Sequence, residues 1–545
     1  MTTTEQHPPR AAGRGALAGL VSAALLLATA TVVAALVGRG SDPFLAVGDM
    51  VVRLSPKALT RFAIDTFGSY DKLVLFVGIG VVLAVVAALA GAVATRRPAA
   101  GVVVPVLLVL AAAAAVLLGP GAGVLDLLPL LVGTLVGATA FVLLVGLARR
   151  GTRTATSTPD GSTPDGSGRA GSSPDGSASE GSFVATHGRP RASRRLFLGA
   201  AGGTAAAAAA MAALGRVVGT TADDAAASRA GLGLPPAGNT VPAVPAGAEV
   251  VEGATFRTAN ADFYRVDTAL TVPREAADTW VVRVHGLVDR ELELTWDRLT
   301  RTFDVVDREI TMVCVSNPVG GTLAGNAVWR GVRLADVLAE AGVDPTADMV
   351  LSTSVDGWTA STPLAALVDS DDAMLAFGMN GEPLPFEHGF PVRMVVPGLY
   401  GYVSATKWVT DLEVTRFADD EAYWTPRGYA AEAPVKTASR IEVPESFAQL
   451  PAGTVVVAGT AWHPGLGVDA VEVRVDGGDW QPAQLGEVPG PTTWRQWRYE
   501  WAAEPGQHRL EVRATDADGE VQTEERAEIA PDGSTGWHSV VVTVA

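Results

Sequence analysis

Before residue 150 the chain carries four long runs without a charged side chain, at about 16–37, 73–94, 101–118 and 127–147. Each is close to the twenty or so apolar residues that cross a hydrocarbon core of roughly 30 Å. A helix on the surface of a soluble domain keeps one polar face, and these runs keep none. They predict an all-α, four-span transmembrane domain over 1–150. Arg10 and Arg14 precede the first run, Arg96 and Arg97 separate the second from the third, and Arg149, Arg150 and Arg153 follow the fourth. The positive-inside rule then sets the N-terminus in the cytoplasm, in a multi-pass protein of the cell membrane. The loop 38–71 opposes this with Arg39, Arg53, Lys57 and Arg61, accompanied by Asp42, Asp49, Asp65 and Asp71.

Charge divides the chain. Residues 1–220 hold 18 Lys and Arg against 10 Asp and Glu, whereas residues 221–545 hold 23 against 48. The second part, at −25, is unsuited to contacting phosphates, which excludes nucleic acid as a partner.

Residues 151–192 repeat Pro-Asp-Gly among Gly and Ser, and so read as a disordered cytoplasmic linker. Next comes RASRRLFLGAAGGTAAAAAAMAALG. Arg194 and Arg195 lead a weakly apolar run, and SRRLFL resembles the twin-arginine export motif. That route carries folded proteins, which suits a domain loaded with a cofactor before export. Residues 193–218 thus read as a twin-arginine signal or a fifth transmembrane helix. A peptidase site near 225–227 is the competing fate, and a retained span is favoured. The acidic part would then lie outside the cytoplasm.

Residues 219–255, rich in Ala, Gly and Pro, read as a spacer. From 256 to 430, strand-like alternation at 280–287, a short apolar strand at 310–315 and a helix at 334–341 stopped by Gly342 predict an α+β domain. From 431 to 545, period-two stretches at 454–462, 470–476 and 509–515, separated by Asp-Gly turns, predict an all-β sandwich. Its Trp480, Trp494, Trp497 and Trp501 read as sandwich core or a dimer face, and His463 and His538 as surface residues.

The sequence has a single cysteine, Cys314, at the end of an apolar run and ahead of Gly320 and Gly321. A buried structural thiol would fit the local pattern. A thiolate ligand to a transition metal fits as well, but one cysteine holds neither zinc nor an iron–sulfur cluster, so the other ligands must come from an organic cofactor. The stretch 379–408, MNGEPLPFEHGFPVRMVVPGLYGYVSATKW, gathers His388, Arg393 and Lys407 in Gly-rich backbone suited to a phosphate. A salt bridge is the competing reading for Arg393.

This stretch resembles the molybdopterin-binding segment of the sulfite oxidase family. EITMVCVSN followed by GNAVWRGVRLADVL is similar to that family's segment around its metal-ligating cysteine. The likeness covers about 255–545, since GTAW, VEVRVDGGDW, WRQWRYEW and RATDADG resemble the family's immunoglobulin-like C-terminal domain. The resemblance implies a molybdopterin-binding catalytic domain over 256–430 and an immunoglobulin-like, dimerisation-type domain over 431–545. It implies the molybdenum–molybdopterin cofactor, with Cys314 as the metal ligand. Phe263, Tyr264, Arg265, Asn317, His388, Arg393, Gly398, Tyr400, Gly401, Ser404 and Lys407 would line the cofactor. Arg265 and Trp358 join Cys314 as candidate catalytic residues, and Arg330 is a further source of charge.

Two positions depart from the family pattern. Asn317 is followed by Pro318, Val319, Gly320 and Gly321 rather than an arginine pair, and Trp358 stands where a tyrosine is expected. The implied reaction is two-electron oxygen-atom transfer on a small substrate, either a sulfite-like oxyanion or a sulfoxide-type oxide. No CxxCH is present and no histidine falls in an apolar run, so electrons would pass to a separate partner, a cytochrome or a quinone-linked protein. The resemblance leaves a homodimer through the β-domain open. Two rivals stand beside this reading: a cofactor-free binding module on a membrane tether, and a thiol enzyme using Cys314 with His388 or His285 as base.

Overall fold

Long apolar runs form helices, in which each backbone N–H and C=O is paired within the segment itself. A computed structural model describes residues 9–37, 41–56, 59, 62, 66–67, 70–119, 122–150, 194–221, 224–252 and 254–545. The linker expected at 151–192 lies outside the described residues, as do Ser193 and the side chain of Arg194. The chain divides into two units, residues 1–223 and 224–545.

Among the described residues of the first unit, five helices are long and apolar enough to cross a membrane: Ala11–Val37, Lys72–Arg96, Ala100–Leu117, Val124–Arg149 and Arg195–Val217. The helix Pro9–Val37 is central, packing against Asp71–Ala94, Leu128–Arg150 and Arg194–Thr221. Gly19 and Gly91 permit the first of these contacts, since a Cβ on either would strike main-chain atoms of the opposite helix. Phe197, the aromatic of the arginine motif, is 1% exposed and packs among Ala18, Leu144, Val145 and Ala148. A further helix, Pro43–Leu54, lies in the loop for which no element was expected. Asp42 caps it by accepting from the Phe44 N–H at 2.8 Å.

The second unit begins with a correction. The expected spacer at 219–255 is docked from Asp224 onward. Arg229 of the helix Asp224–Gly231 donates to the Leu384 and Pro383 carbonyls, Asn239 exchanges hydrogen bonds with Asp307, and the Val250 N–H donates to Gln496. Low side-chain volume reads as a linker, yet these groups bond backbone that would otherwise be left unpaired.

The α+β part holds two sheets. In one, Val281–Gly286 runs parallel to Val409–Thr415, flanked by Leu292–Thr295 on one side and by Met349–Ser354 and Thr359–Pro363 on the other. In the other, Val305–Val313, Ala324–Arg333 and Met374–Met379 pair antiparallel. The strand Met374–Met379 is buried on both faces, which explains its unbroken apolar run. The helix Leu334–Ala341 turns Leu334, Val337, Leu338 and Ala341 into the core and stops at Gly342, whose φ is +71°.

Residues from Ala438 form two further sheets, one built on Gly453–Trp462 and Arg495–Ala503, the other on Val468–Val475, Gly506–Asp516 and His538–Val544. They share one core of Val457, Val473, Trp497, Leu510 and Val542. Trp497 and Trp501 are core residues. Trp494 instead joins a cluster with Val313, Val315 and Tyr400, while Trp480 stacks edge-on against Trp537 near the surface. His463 and His538 are corrected too. Both are partly buried, His463 beside Thr437 and Asp516, and His538 accepting from the Ile441 N–H at 2.9 Å.

Candidate active site

The strand Val305–Val313 ends at Cys314, and the chain turns at once. The Cys314 N–H donates to the Leu323 carbonyl and the Asn317 N–H to the Cys314 carbonyl. Asn317 Oδ1 accepts from the Leu323 N–H at 2.9 Å, so this side chain closes the loop on itself. The Ser316 N–H points at Cys314 Sγ, 3.4 Å away. Burial pushes the thiol above its ordinary range, while the Ser316 bonds and the charge of Lys407 pull it back. Left alone, such a sulfur stays protonated at neutral pH. A bound cation would favour the thiolate.

The stretch 388–407 brings three cationic or titratable groups together. Arg393 is 5% exposed, and its guanidinium donates to the carbonyls of Met394, His388 and Ala405. It lies 5.1 Å from the Trp329 ring centroid. Burial lowers it to about 10, and no Asp or Glu among the described residues pairs with it. Lys407, lowered by burial to about 8, bonds Asp267 at 2.7 Å and the Glu387 carbonyl at 3.0 Å. His388 is lowered to about 4, mainly by burial, and its Nε2 bonds the Asn260 carbonyl at 3.0 Å. Gly389, at φ +108°, lets the chain pass, because a Cβ there would stand 3.0 Å from that of Arg393.

The segment after Phe256 forms one wall. Phe263 stacks on Tyr264 and meets Trp329 and His388 edge-on. Burial raises the Tyr264 hydroxyl far above its ordinary range, and Cys314 and Arg393 are the charges that act on it. Arg265 is more exposed and is paired with Asp267 at 2.8 Å.

The turn after Val396 packs on the cysteine strand. The Gly401 N–H donates to the Val313 carbonyl at 3.1 Å, and Gly398 adopts φ +81°. Ser404 is fully buried, and its hydroxyl donates to the Tyr400 carbonyl. Tyr400 reaches away from this turn, its ring against Gly533, and burial raises its hydroxyl to about 12. Trp358 packs on the edge of the same cluster as Tyr400 and Tyr402. Cys314, Phe263, Tyr264, His388, Arg393 and Lys407 therefore converge. Arg330 does not: it pairs with Asp307, six residues down the strand from Val313 in register.

Sequence reading missed Asp267 and Asn260, which hold Lys407 and His388. Only the short spacing from the Phe263–Arg265 segment could have suggested them.

Residues 269–424 match a family model described as the oxidoreductase molybdopterin binding domain. The chain is 31% identical to human mitochondrial sulfite oxidase over 328 residues, covering 51% of this chain and 60% of that one. It is 35% identical over 150 residues to the uncharacterized oxidoreductase YuiH of Bacillus subtilis (strain 168), covering 28% of this chain and 72% of that one. The chain belongs to the sulfite oxidase family of molybdopterin oxidoreductases.

The chain is also 36% identical over 178 residues to nitrate reductase [NADH] 1 of Oryza sativa subsp. japonica, covering 28% of this chain and 19% of that one. The chain thus spans less than two thirds of the sulfite oxidase and about a fifth of the nitrate reductase. Among solved structures, the sulfane dehydrogenase SoxCD of Paracoccus pantotrophus aligns at 24% identity with a TM-score of 0.47, over 54% of this chain and 85% of that one.

Membership of the sulfite oxidase family implies the molybdenum–molybdopterin cofactor. The residues present fit it. A buried guanidinium held only by carbonyls is costly unless an anion joins it, and a phosphate-bearing pterin supplies that anion. Cys314 supplies a soft sulfur donor beside it.

Proposed function

We propose that this chain is a membrane-anchored, extracytoplasmic molybdenum-pterin oxidoreductase that transfers an oxygen atom in a two-electron step. The observation that carries the reading is the buried Arg393, without a counter-charge among the described residues, beside Lys407 and His388, with Tyr264 and Lys407 close enough to interact with Cys314. When bound, the cofactor supplies the redox change. Cys314 would hold the metal, Arg393 and Lys407 the phosphate, and His388 the pterin through its free nitrogen while Nε2 stays on Asn260. Phe263, Tyr264 and the turn 398–403 would wall the pterin from water. In this reading Asn317 and Ser404 shape the loops, and Arg265 and Trp358 face substrate.

The relatives act on sulfite in one case and nitrate in the other, so kinship alone fixes neither substrate nor direction. The candidate sources of positive charge are already paired: Arg265 with Asp267 in the site, Arg440 with Glu442 at the loop, and Arg330 with Asp307 away from both. This favours a neutral, sulfoxide-type oxide over a sulfite-like oxyanion. Electrons would exchange with a separate cytochrome or quinone-linked protein. The two C-terminal sheets are read as an immunoglobulin-like sandwich, and a homodimer would form through them.

The five apolar helices are read as spans with the N-terminus in the cytoplasm. The helix Arg194–Thr221 is read as a twin-arginine export segment retained as the fifth. Two supports favour retention. Phe197 is locked in the bundle, and residues 225–227 lie in a helix anchored by Arg229 rather than in the extended form a peptidase needs.

The test is elemental analysis of the chain from a host that makes the pterin, beside Cys314→Ser, followed by turnover of sulfite and of methionine sulfoxide. About one molybdenum per wild-type chain, lost in the variant, is expected. A folded wild-type chain without molybdenum would leave the tethered binding module or, if alkylating Cys314 abolishes an activity, the thiol enzyme.

A further inference from the structure

The strand that carries Cys314 is an edge strand, paired on one side only, with Ala324–Arg333. Its other edge is held by Gly238 and Asn239 at residues 305–307 and, nearer Cys314, by the β-domain. The Thr311 N–H donates to the Thr492 carbonyl at 2.9 Å, Thr492 Oγ1 donates to the Glu309 carbonyl at 2.7 Å, and the Trp494 N–H donates to Thr311 Oγ1 at 2.8 Å. The loop beyond Cys314 is held from the same side. Ser534 Oγ donates to the Asn317 carbonyl at 2.8 Å, and Arg440 Nη1 donates to the Gly321 carbonyl at 2.9 Å. Between these two points, the His538 ring lies on Gly320, whose φ is +79° and where any Cβ would strike the imidazole.

These bonds lead back to the sulfur. The residue pinned by Ser534 is Asn317, whose own N–H donates to the Cys314 carbonyl at 3.0 Å. Ser316, which donates to Sγ, lies between the pinned residue and Cys314. Both pins act on main-chain carbonyls, so they fix backbone direction whatever the loop side chains do. A loop of this length without such anchors opens locally at low cost.

We propose that the C-terminal β-domain is the positioning element of the Cys314 thiol, with Ser534 and Arg440 as the positioning residues. The domain does more than extend the protein: it sets the angle and shielding of the sulfur from two points about the loop. The inference rests on the reading of Cys314 as metal ligand only for its metal readout, since the shielding of the thiol can be measured without any metal.

The experiment uses the full chain with Ser534→Ala, Arg440→Met and the pair together, beside the conservative Ser534→Thr and Arg440→Lys. In protein from a host that cannot make the pterin, the rate of Cys314 alkylation by iodoacetamide is measured. Each disruptive variant is expected to raise it about tenfold, the equivalent of one hydrogen bond lost from the closed loop, and the conservative variants to restore it. In molybdenum-loaded protein the g-values of the Mo(V) electron paramagnetic resonance signal are expected to shift in the disruptive variants. Unchanged alkylation together with unchanged g-values would overturn the proposal. Faster alkylation in a chain that binds no molybdenum even as wild type would uphold the positioning and sink the metal reading. Should the double variant lose its cooperative melt, Ser534→Ala, which removes one hydroxyl, decides by the same two readouts.

Discussion

The ammonium of Lys407 stands 2.7 Å from the carboxylate of Asp267, and both side chains are almost wholly buried, at 9% and 5% exposure. Asp267 is shared with Arg265, so one carboxylate ties a surface cation and a buried one to the same wall. Removing one partner of such a pair leaves an uncompensated buried charge, whereas removing both leaves a packing change and parts only the more exposed Arg265 from its carboxylate. In cofactor-free protein, Asp267→Asn should therefore cost about 2 kcal/mol or more in chemical denaturation. The double variant Asp267→Leu with Lys407→Met should recover most of that loss. A double variant no better than the single would contradict the pairing.

Arg393 has the opposite signature. Its guanidinium is buried without a counter-charge among the described residues, so Arg393→Met removes a cost from the cofactor-free chain. The thermal midpoint of that chain should hold or rise. Molybdenum bound per chain should fall about tenfold or more, as expected for loss of a charge-assisted contact. Loss of the melt without the cofactor would show that Arg393 is structural instead.

His538 is held at about 4, mainly by burial, against an ordinary value near 6.5, and its Nδ1 accepts from the Ile441 N–H. The folded state thus binds fewer protons than the unfolded one between these values. The stability this group contributes is complete above pH 6.5 and is lost as pH falls towards 4. His538→Asn, which keeps an acceptor but does not titrate there, should flatten the dependence of unfolding free energy on pH in that window. His388 shifts in the same direction, so some slope should remain. An identical slope in variant and wild type would refute the assignment.

Epitopes placed at both termini give a direct measure of the fifth helix. A retained span predicts one membrane-bound band near 56.0 kDa carrying both tags. Separate fragments parted near 225–227 would show cleavage. Lys substitution of both Arg194 and Arg195 should leave the acidic unit inaccessible to protease added outside the cell.

Gly19 should tolerate no larger residue, because the main chain of the Asp71–Ala94 helix lies where its Cβ would be. Gly19→Leu should lower the detergent-solubilised melting point of the bundle, while Gly78→Leu, at a position with open space, should not.

Much of this architecture was legible in the residue order. Apolar runs marked the five long helices to within a few residues, Gly342 marked a helix end, and period-two alternation marked the strands Gly453–Trp462, Val468–Val475 and Gly506–Asp516. The candidate site was legible where its residues lie close in sequence: Cys314 at a strand end, and His388, Arg393 and Lys407 within one Gly-rich stretch. It was not legible where partners are distant. Asp267 meets a lysine 140 positions away, and Ser534 meets the cysteine loop across 217.

The sequence by itself determined which segments avoid water, where the acidic half begins, and which thiol and which cations are on offer. Those are properties of short windows, set by hydropathy, backbone freedom and side-chain chemistry. Only the tertiary structure decided that Arg393 has no acidic partner among the described residues while Arg330 has Asp307, that 224–252 is docked rather than loose, and that the β-domain grips the loop of Cys314. Those outcomes depend on burial and on contacts between residues far apart in the chain, which no local pattern encodes.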